Sequence, residues 1–286
     1  MAVLYYLILR PISMLPLSLQ YGLGRFIKFI LMRVVGYRKK LIQTNLELCF
    51  PSLGETERNE VVDAFYWNLS QIIIESISAF SLNDEEASSR CIVKNPEVLD
   101  SLFEQNRDVI ITGGHYANWE AITLTASQIK HDLYALYKPL KNKFMDEKVT
   151  ASRCKFGVKM ISINDYRQHM EEAHERPRAF IFGIDQSPRK DSGEWITFLG
   201  RDTMVFTGPE RLAKQYNMAV VAGRLVRTYR GRYEITYELL FDQPEKTAPM
   251  EITNRTMADV EQLVREKPSD WLWSHNRWKH NKNQAV

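Results

Sequence analysis

The stretch "DVIITGGHYANWEAITL", Asp108 to Leu124, decides how the chain is read. Val109 to Thr112 form a short apolar run rich in β-branched residues, the signature of a buried strand. Gly113 and Gly114 break it, and His115 follows. Asn118 is a good helix N-cap, which puts Trp119 and Glu120 in the first turn of a helix over 118–128. In open α/β sheets, sites form beyond the carboxyl ends of strands, so His115 is presented where chemistry is usually done.

His115 and Glu120 are five residues apart. On one continuous helix they would point about 140° apart. A turn containing His115, followed by a helix from Asn118, lets the chain double back so that the Glu120 carboxylate reaches the imidazole. A neutral imidazole can take a proton from an alcohol, and a carboxylate on its other nitrogen fixes the tautomer and stabilises the imidazolium. A helix N-terminus favours ionised Glu120. Gly113 and Gly114 permit close backbone approach, with amides facing a developing oxyanion. The competing reading is a strand, turn and helix that merely contain a histidine.

Working outward, strands are expected at 109–112, 133–137, 158–161, 179–184, 219–226 and 233–240. Helices are expected at 118–128, 142–156, 166–174, 209–216 and 253–266. This alternation argues for an α/β domain with a mixed, mostly parallel central sheet flanked by helices. "RTYRGR", with Gly231 in the turn, joins the last two strands as an antiparallel hairpin at the sheet edge. Upstream, Phe65, Leu69, Ile72, Ile73 and Ser76 keep helical spacing from about Thr56 to Ala79. Glu75 interrupts that apolar pattern and needs a partner, for which an interhelical salt bridge is the expectation.

Residues Ala2 to Val35 are dominated by apolar and aromatic side chains, and the first acidic residue is Glu47. A membrane-spanning helix needs ~20 continuous apolar residues, but Arg10, Pro11, Pro16, Arg25, Lys28 and Arg33 interrupt this stretch. No signal-peptide cleavage pattern follows it. Residues 1–37 therefore read as a membrane-anchoring helical segment lying on or in an anionic leaflet, with Arg38, Lys39 and Lys40 on the cytoplasmic side. Residues 38–286 read as one α/β domain with a helical lead-in over 38–90.

Composition is that of a globular protein, with 26% charged and 44% hydrophobic residues. The net charge of +3 does not point to nucleic acid. Cys49, Cys91 and Cys154 are scattered, which argues against a zinc site or disulfide framework. His131 and His169 lack metal-ligand spacing around His115.

Five ordered blocks carry a resemblance. They are "QTNLELCFP" from Gln43, "GGHYANWEA" from Gly113, "YKPLKNKFMDEKVTASRCKFG" from Tyr137, "GIDQSPRKDSGEWITFLGRDTMVFTGPERLA" from Gly183 and "PSDWLWSHNRWKH" from Pro268. Together they resemble the late acyltransferases of lipid A biosynthesis over roughly Arg38 to Lys279. The resemblance implies acyl transfer from an acyl carrier protein or acyl-CoA to a hydroxyl of a membrane glycolipid, on the cytoplasmic face of the bacterial inner membrane. It implies no cofactor, no metal and no covalent enzyme intermediate. It carries over His115 as general base and Glu120 as its partner. Gly114, Asn118, Trp119, Lys138, Arg153, Asp185, Gln186 and Arg189 become substrate-site candidates. Arg153 would stabilise charge at the carbonyl or bind acidic groups. Asp185 would face the site or brace its loop.

Lys138, Lys141, Lys143, Arg189, Lys190, Arg201, Arg224 and Arg227 fall at or after strand ends and suit phosphorylated headgroups. In the last block Trp271, Trp273 and Trp278 alternate with His275, Arg277, Lys279 and His280, as at a membrane interface. Two alternatives remain at this level: a glycerolipid or aminolipid acyltransferase, and a catalytically silent membrane-bound interaction protein. Glycerolipid acyltransferases usually carry an FPEGTRS-like motif, and "GIDQSPRKDSGEW" stands in its place; the motif does not bear on an aminolipid acceptor.

Overall fold

The computed structural model describes residues 1–190 and 192–282. Its centre is a seven-stranded sheet. In chain order the strands are β1 (Cys91–Val93), β2 (Val109–Gly113), β3 (Asp132–Tyr137), β4 (Lys159–Ser162), β5 (Arg178–Gly183), β8 (Ala219–Tyr229) and β9 (Arg232–Phe241). Between β5 and β8, β6 (Glu194–Phe198) and β7 (Arg201–Val205) form a separate antiparallel hairpin. The spatial order of the large sheet is β1-β9-β8-β2-β5-β3-β4. All neighbouring pairs are parallel except β8–β9.

Alternation explains why β2, β5 and β8 lie at the centre. Ile110, Phe180 and Val220 enter one apolar cluster, with Leu212 and Ala213 of the Gly208–Tyr216 helix. Val109, Ile111, Ala179 and Val221 enter the other, with Val260 and Leu263 of the Glu251–Glu266 helix and Leu99 of the Glu97–Glu104 helix. A strand covered on both faces reads as an unbroken apolar run, which is why "VIIT" and "AFIF" stand out in the sequence.

The expected strands lie within a few residues of their anticipated limits, and the β8–β9 turn is where Gly231 was placed, at φ +68°. β9 is not the sheet edge, however, because β1 pairs beyond it. β8 also runs on to Tyr229, so Arg224 and Arg227 lie within a strand and not at its end. The Tyr166–Glu171 helix is shorter than expected. The segment after Asn118 is a 3₁₀ helix, Trp119–Gln128, and not an α-helix. Thr123 and Thr125 hydroxyls donate to carbonyls three residues back at 2.8 Å, those of Glu120 and Ile122.

The N-terminal residues form short helical pieces and a Leu17–Phe29 helix packed on the long Glu55–Ser78 helix. Among the described residues, no helix is long and apolar enough to cross a membrane. The long helix starts where Glu57 accepts the Gly54 N–H at 2.7 Å.

Candidate active site

β2 and β5 are adjacent and parallel, with Gly113 opposite Gly183, so the residues that follow each strand emerge side by side. His115 comes from the first and Asp185 from the second. His115 Nδ1–H donates to Asp185 Oδ1 at 2.6 Å, and the His115 main-chain N–H donates to Oδ2 at 2.8 Å. Trp271 Nε1–H donates to the same Oδ2 at 2.7 Å. Asp185 is buried while the His115 ring keeps a partly exposed edge. Gly183 makes room for that ring, because a Cβ there would lie 2.7 Å from His115 Cε1. Trp119 stands edge-on to the imidazole, with centroids 5.2 Å apart.

The charges support one another. Burial by itself would raise the Asp185 pKa, but the adjacent imidazole and the converging N–H donors hold it down to about 2. Burial by itself would lower the His115 pKa, but Asp185 outweighs it and the net shift is upward from 6.5, with Glu120 adding to the rise. With Nδ1–H committed to Asp185, Nε2 is the acceptor nitrogen of the neutral ring. The Gln186 amide donates to it at 3.0 Å.

The expected contact between Glu120 and the imidazole is not made. The turn and the cap form as expected, with Glu120 N–H donating to Asn118 Oδ1 at 3.2 Å. The carboxylate, however, chelates Arg153, from Nε at 2.7 Å and Nη2 at 2.6 Å. A planar guanidinium offers two parallel N–H groups to a carboxylate, a stronger partner than one imidazole N–H that Asp185 already occupies. Arg153 projects from the Lys143–Cys154 helix. The two bonds to Glu120 use Nε and Nη2 and leave Nη1 outside the pair.

The main-chain amides that follow the two glycines are engaged within the protein. His115 N–H goes to Asp185, Tyr116 N–H to Gly114 O, and Ala117 N–H to Asp270 O. Ala117 takes a left-handed φ of +50° to make this turn. Gly114 is small for packing, since a Cβ there would lie 2.8 Å from a Val260 methyl.

The tryptophan-rich tail is an internal brace and not a membrane-facing surface. Trp271 and Trp273 are 2% and 0% exposed and meet edge to face, and Arg277 is 1% exposed. Tyr116 and Trp271 form an antiparallel bridge, and Leu272 N–H donates to His115 O at 3.1 Å, so the tail clamps the histidine turn. Burial holds His275 down at about pKa 4, and its Nε2 accepts the Ser187 N–H beside Gln186. Sequence reading missed this clamp. Its signal was the density of large aromatics, misread as interfacial.

Of the other candidates, Asn118 is buried against Glu75, at 2.7 Å. Lys138 follows β3 and Arg189 lies in the loop after β5, and both are exposed. Arg224 is tied to Asp259, Arg227 to Asn68, and Arg201 stacks on Trp278 and bonds Asn45, so these three serve the fold. The three cysteines are free thiols. No cluster of metal-ligating side chains exists among the described residues.

A histidine held by a buried carboxylate at the carboxyl edge of a parallel sheet has the form of a general-base site. The model of the family described as bacterial lipid A biosynthesis acyltransferase matches residues 1–280, and the chain belongs to that family. It is similar to the lipid A biosynthesis lauroyltransferase of Escherichia coli (strain K12), 24% identical over 279 residues, covering 95% of this chain and 89% of that protein. The palmitoleoyltransferase of the same strain is 24% identical over 247 residues, covering 85% and 79%. A lipid A biosynthesis acyltransferase of Haemophilus influenzae is 24% identical over 276 residues, covering 94% and 87%. The chain is an acyltransferase.

Proposed function

We propose that this acyltransferase moves a fatty acyl chain from a thioester, carried by acyl carrier protein or coenzyme A, to a hydroxyl of a lipid A precursor. The observation that carries the chemistry is the His115–Asp185 pair, which leaves Nε2 as a base on the open side of the ring. The acceptor hydroxyl takes the place of the Gln186 amide at Nε2 and gives up its proton there. Its oxygen attacks the thioester carbonyl. Asp185 stabilises the imidazolium that results. The tetrahedral oxyanion collapses, the C–S bond breaks, and the imidazolium returns its proton to the departing sulfur. With the amides of residues 115–117 engaged elsewhere, Arg153, oriented by Glu120, is the leading side-chain donor to the oxyanion. Glu120 also adds its charge to the support of the imidazolium.

The reading includes a membrane seat. Val3, Leu7, Met14, Leu19, Phe26, Phe29, Val34 and Val35 are each more than half exposed, on one short stretch of chain. Arg25, Arg33, Arg38, Lys39 and Lys40 are exposed beside them. Apolar side chains mixed with basic ones suit an interfacial helix on anionic lipid. A lipid-facing seat over 1–37 would set the single α/β domain against the leaflet that holds the acceptor. Lys138 and Arg189 would then meet its acidic groups.

Mass spectrometry of membrane lipids, with and without the gene, tests the reading. A lipid A species heavier by one acyl group only when the gene is present is the expected result. An unchanged lipid A profile, or a mass change confined to glycerolipids, overturns it.

A further inference from the structure

Glu75 faces the interior from the last turn of the long Glu55–Ser78 helix and is 6% exposed. A buried carboxylate is costly unless donors satisfy it. Three do. Tyr21 OH donates to Oε1 at 2.7 Å, while Asn118 Nδ2 at 2.7 Å and Tyr233 OH at 2.5 Å donate to Oε2. The three contacts leave neither carboxylate oxygen of Glu75 without a partner. Burial first, and the Glu75 charge next, push both phenols above their ordinary range, which keeps them protonated.

The donors come from distant parts of the chain. Tyr21 lies on the N-terminal Leu17–Phe29 helix and Tyr233 on β9. The β8–β9 turn leaves room for the Tyr21 hydroxyl, because a Cβ at Gly231 would come within 2.6 Å of it. The third donor, Asn118, leads to the active site. Its Nδ2 faces Glu75 and its Oδ1 accepts the Glu120 N–H. Reversing the amide would set Oδ1 against the carboxylate, so Glu75 fixes which way Asn118 points. Aspartate at 118 lacks the donor, and alanine would leave the Glu75 oxygen one partner short.

We propose that Glu75 is a positioning residue for acyl transfer: it orients the Asn118 amide, which sets the first turn of the Trp119–Gln128 helix and so places Trp119 and Glu120 beside His115. The role rests on the assignment of His115 as base with Glu120 and Arg153 flanking it. Glu75 touches neither substrate nor the reacting atoms.

The test is a donor–acceptor exchange in the full-length enzyme, with kcat, acceptor KM and melting temperature measured for each variant. Glu75→Gln lowers kcat by about 10-fold or more with KM within about 3-fold, because placement of the reacting groups is lost while substrate binding is kept. Asn118→Asp sets two carboxylates together and loses about 100-fold or more. The double variant Glu75→Gln/Asn118→Asp restores one N–H···O contact in reverse and recovers at least about 10-fold over Asn118→Asp alone. A role in packing alone would move melting temperature and leave kcat per folded molecule unchanged. Full kcat in Glu75→Gln, or no recovery in the double variant, refutes the proposal while His115→Ala is inactive. Wild-type activity in His115→Ala refutes the base assignment and the proposal with it.

Discussion

Asp185 grips His115 at two points, the ring Nδ1 at 2.6 Å and the main-chain nitrogen at 2.8 Å. One carboxylate thus fixes both the rotation of the imidazole and the turn that bears it. The histidine and the acidic residue five positions later belong to one site but have different partners. Glu120 holds a guanidinium, and the acid that holds the histidine arrives from the neighbouring strand.

This arrangement sets a pH dependence. Only neutral His115 can accept a proton, and its pKa is raised above 6.5. Activity is therefore low in acid and climbs as pH rises through that raised value. In Asp185→Asn the strongest raising influence is gone and burial, which lowers the value, remains. The acid limb of the kcat/KM profile shifts to lower pH, while the plateau falls by roughly 100- to 10,000-fold. An acid limb that stays in place would assign it to another group.

Glu120 and Arg153 are expected to act as a pair. Arg153→Ala removes the proposed oxyanion donor and lowers kcat by roughly 100- to 1,000-fold. Glu120→Gln loses one ionic contact and is milder. Their losses are strongly non-additive in the double variant, because either change already disrupts the unit. Additive losses in kinetic measurements would show that the two work separately.

Gly183 is where the strand admits the imidazole. Gly183→Ala would put a methyl 2.7 Å from His115 Cε1. The ring must leave Asp185, and overpacking costs about 1–3 kcal/mol. The expected outcome is at least about a 10-fold loss of kcat with the fold retained, read from circular dichroism and steady-state kinetics. Unchanged kcat would mean that the ring position does not matter.

Trp271→Phe keeps much of the ring volume but removes the indole donor to Asp185. Leaving that buried oxygen short of a partner costs about 1–3 kcal/mol, which a denaturant titration measures. A variant as stable as wild type would show that this bond adds nothing.

The central strands were legible because β2, β5 and β8 are covered on both faces and read as apolar runs. β1 was not, since Cys91–Val93 is too short to show a period. The β6–β7 hairpin was hidden because its turn is Leu199–Gly200, both at positive φ, where Asn-Gly is the usual signal. His115 was legible from its place after β2. Its acidic partner was not, because the proximity of Asp185 depends on β5 pairing beside β2, a fact of topology that spacing along the chain cannot carry. The buried tail was misjudged for the same reason: Trp271 and Trp273 look interfacial until the histidine turn packs against them. Glu75 was recognised as needing a partner, but its donors are two tyrosines and an asparagine and not a basic residue.

The most direct test of the account is transfer of a labelled acyl chain from a defined acyl thioester to a lipid A precursor by purified wild-type and His115→Ala proteins. Both proteins should bind anionic vesicles equally in a flotation assay run alongside. The account predicts that the variant binds the vesicles but transfers roughly 100- to 10,000-fold more slowly. Transfer by His115→Ala at the wild-type rate would contradict it.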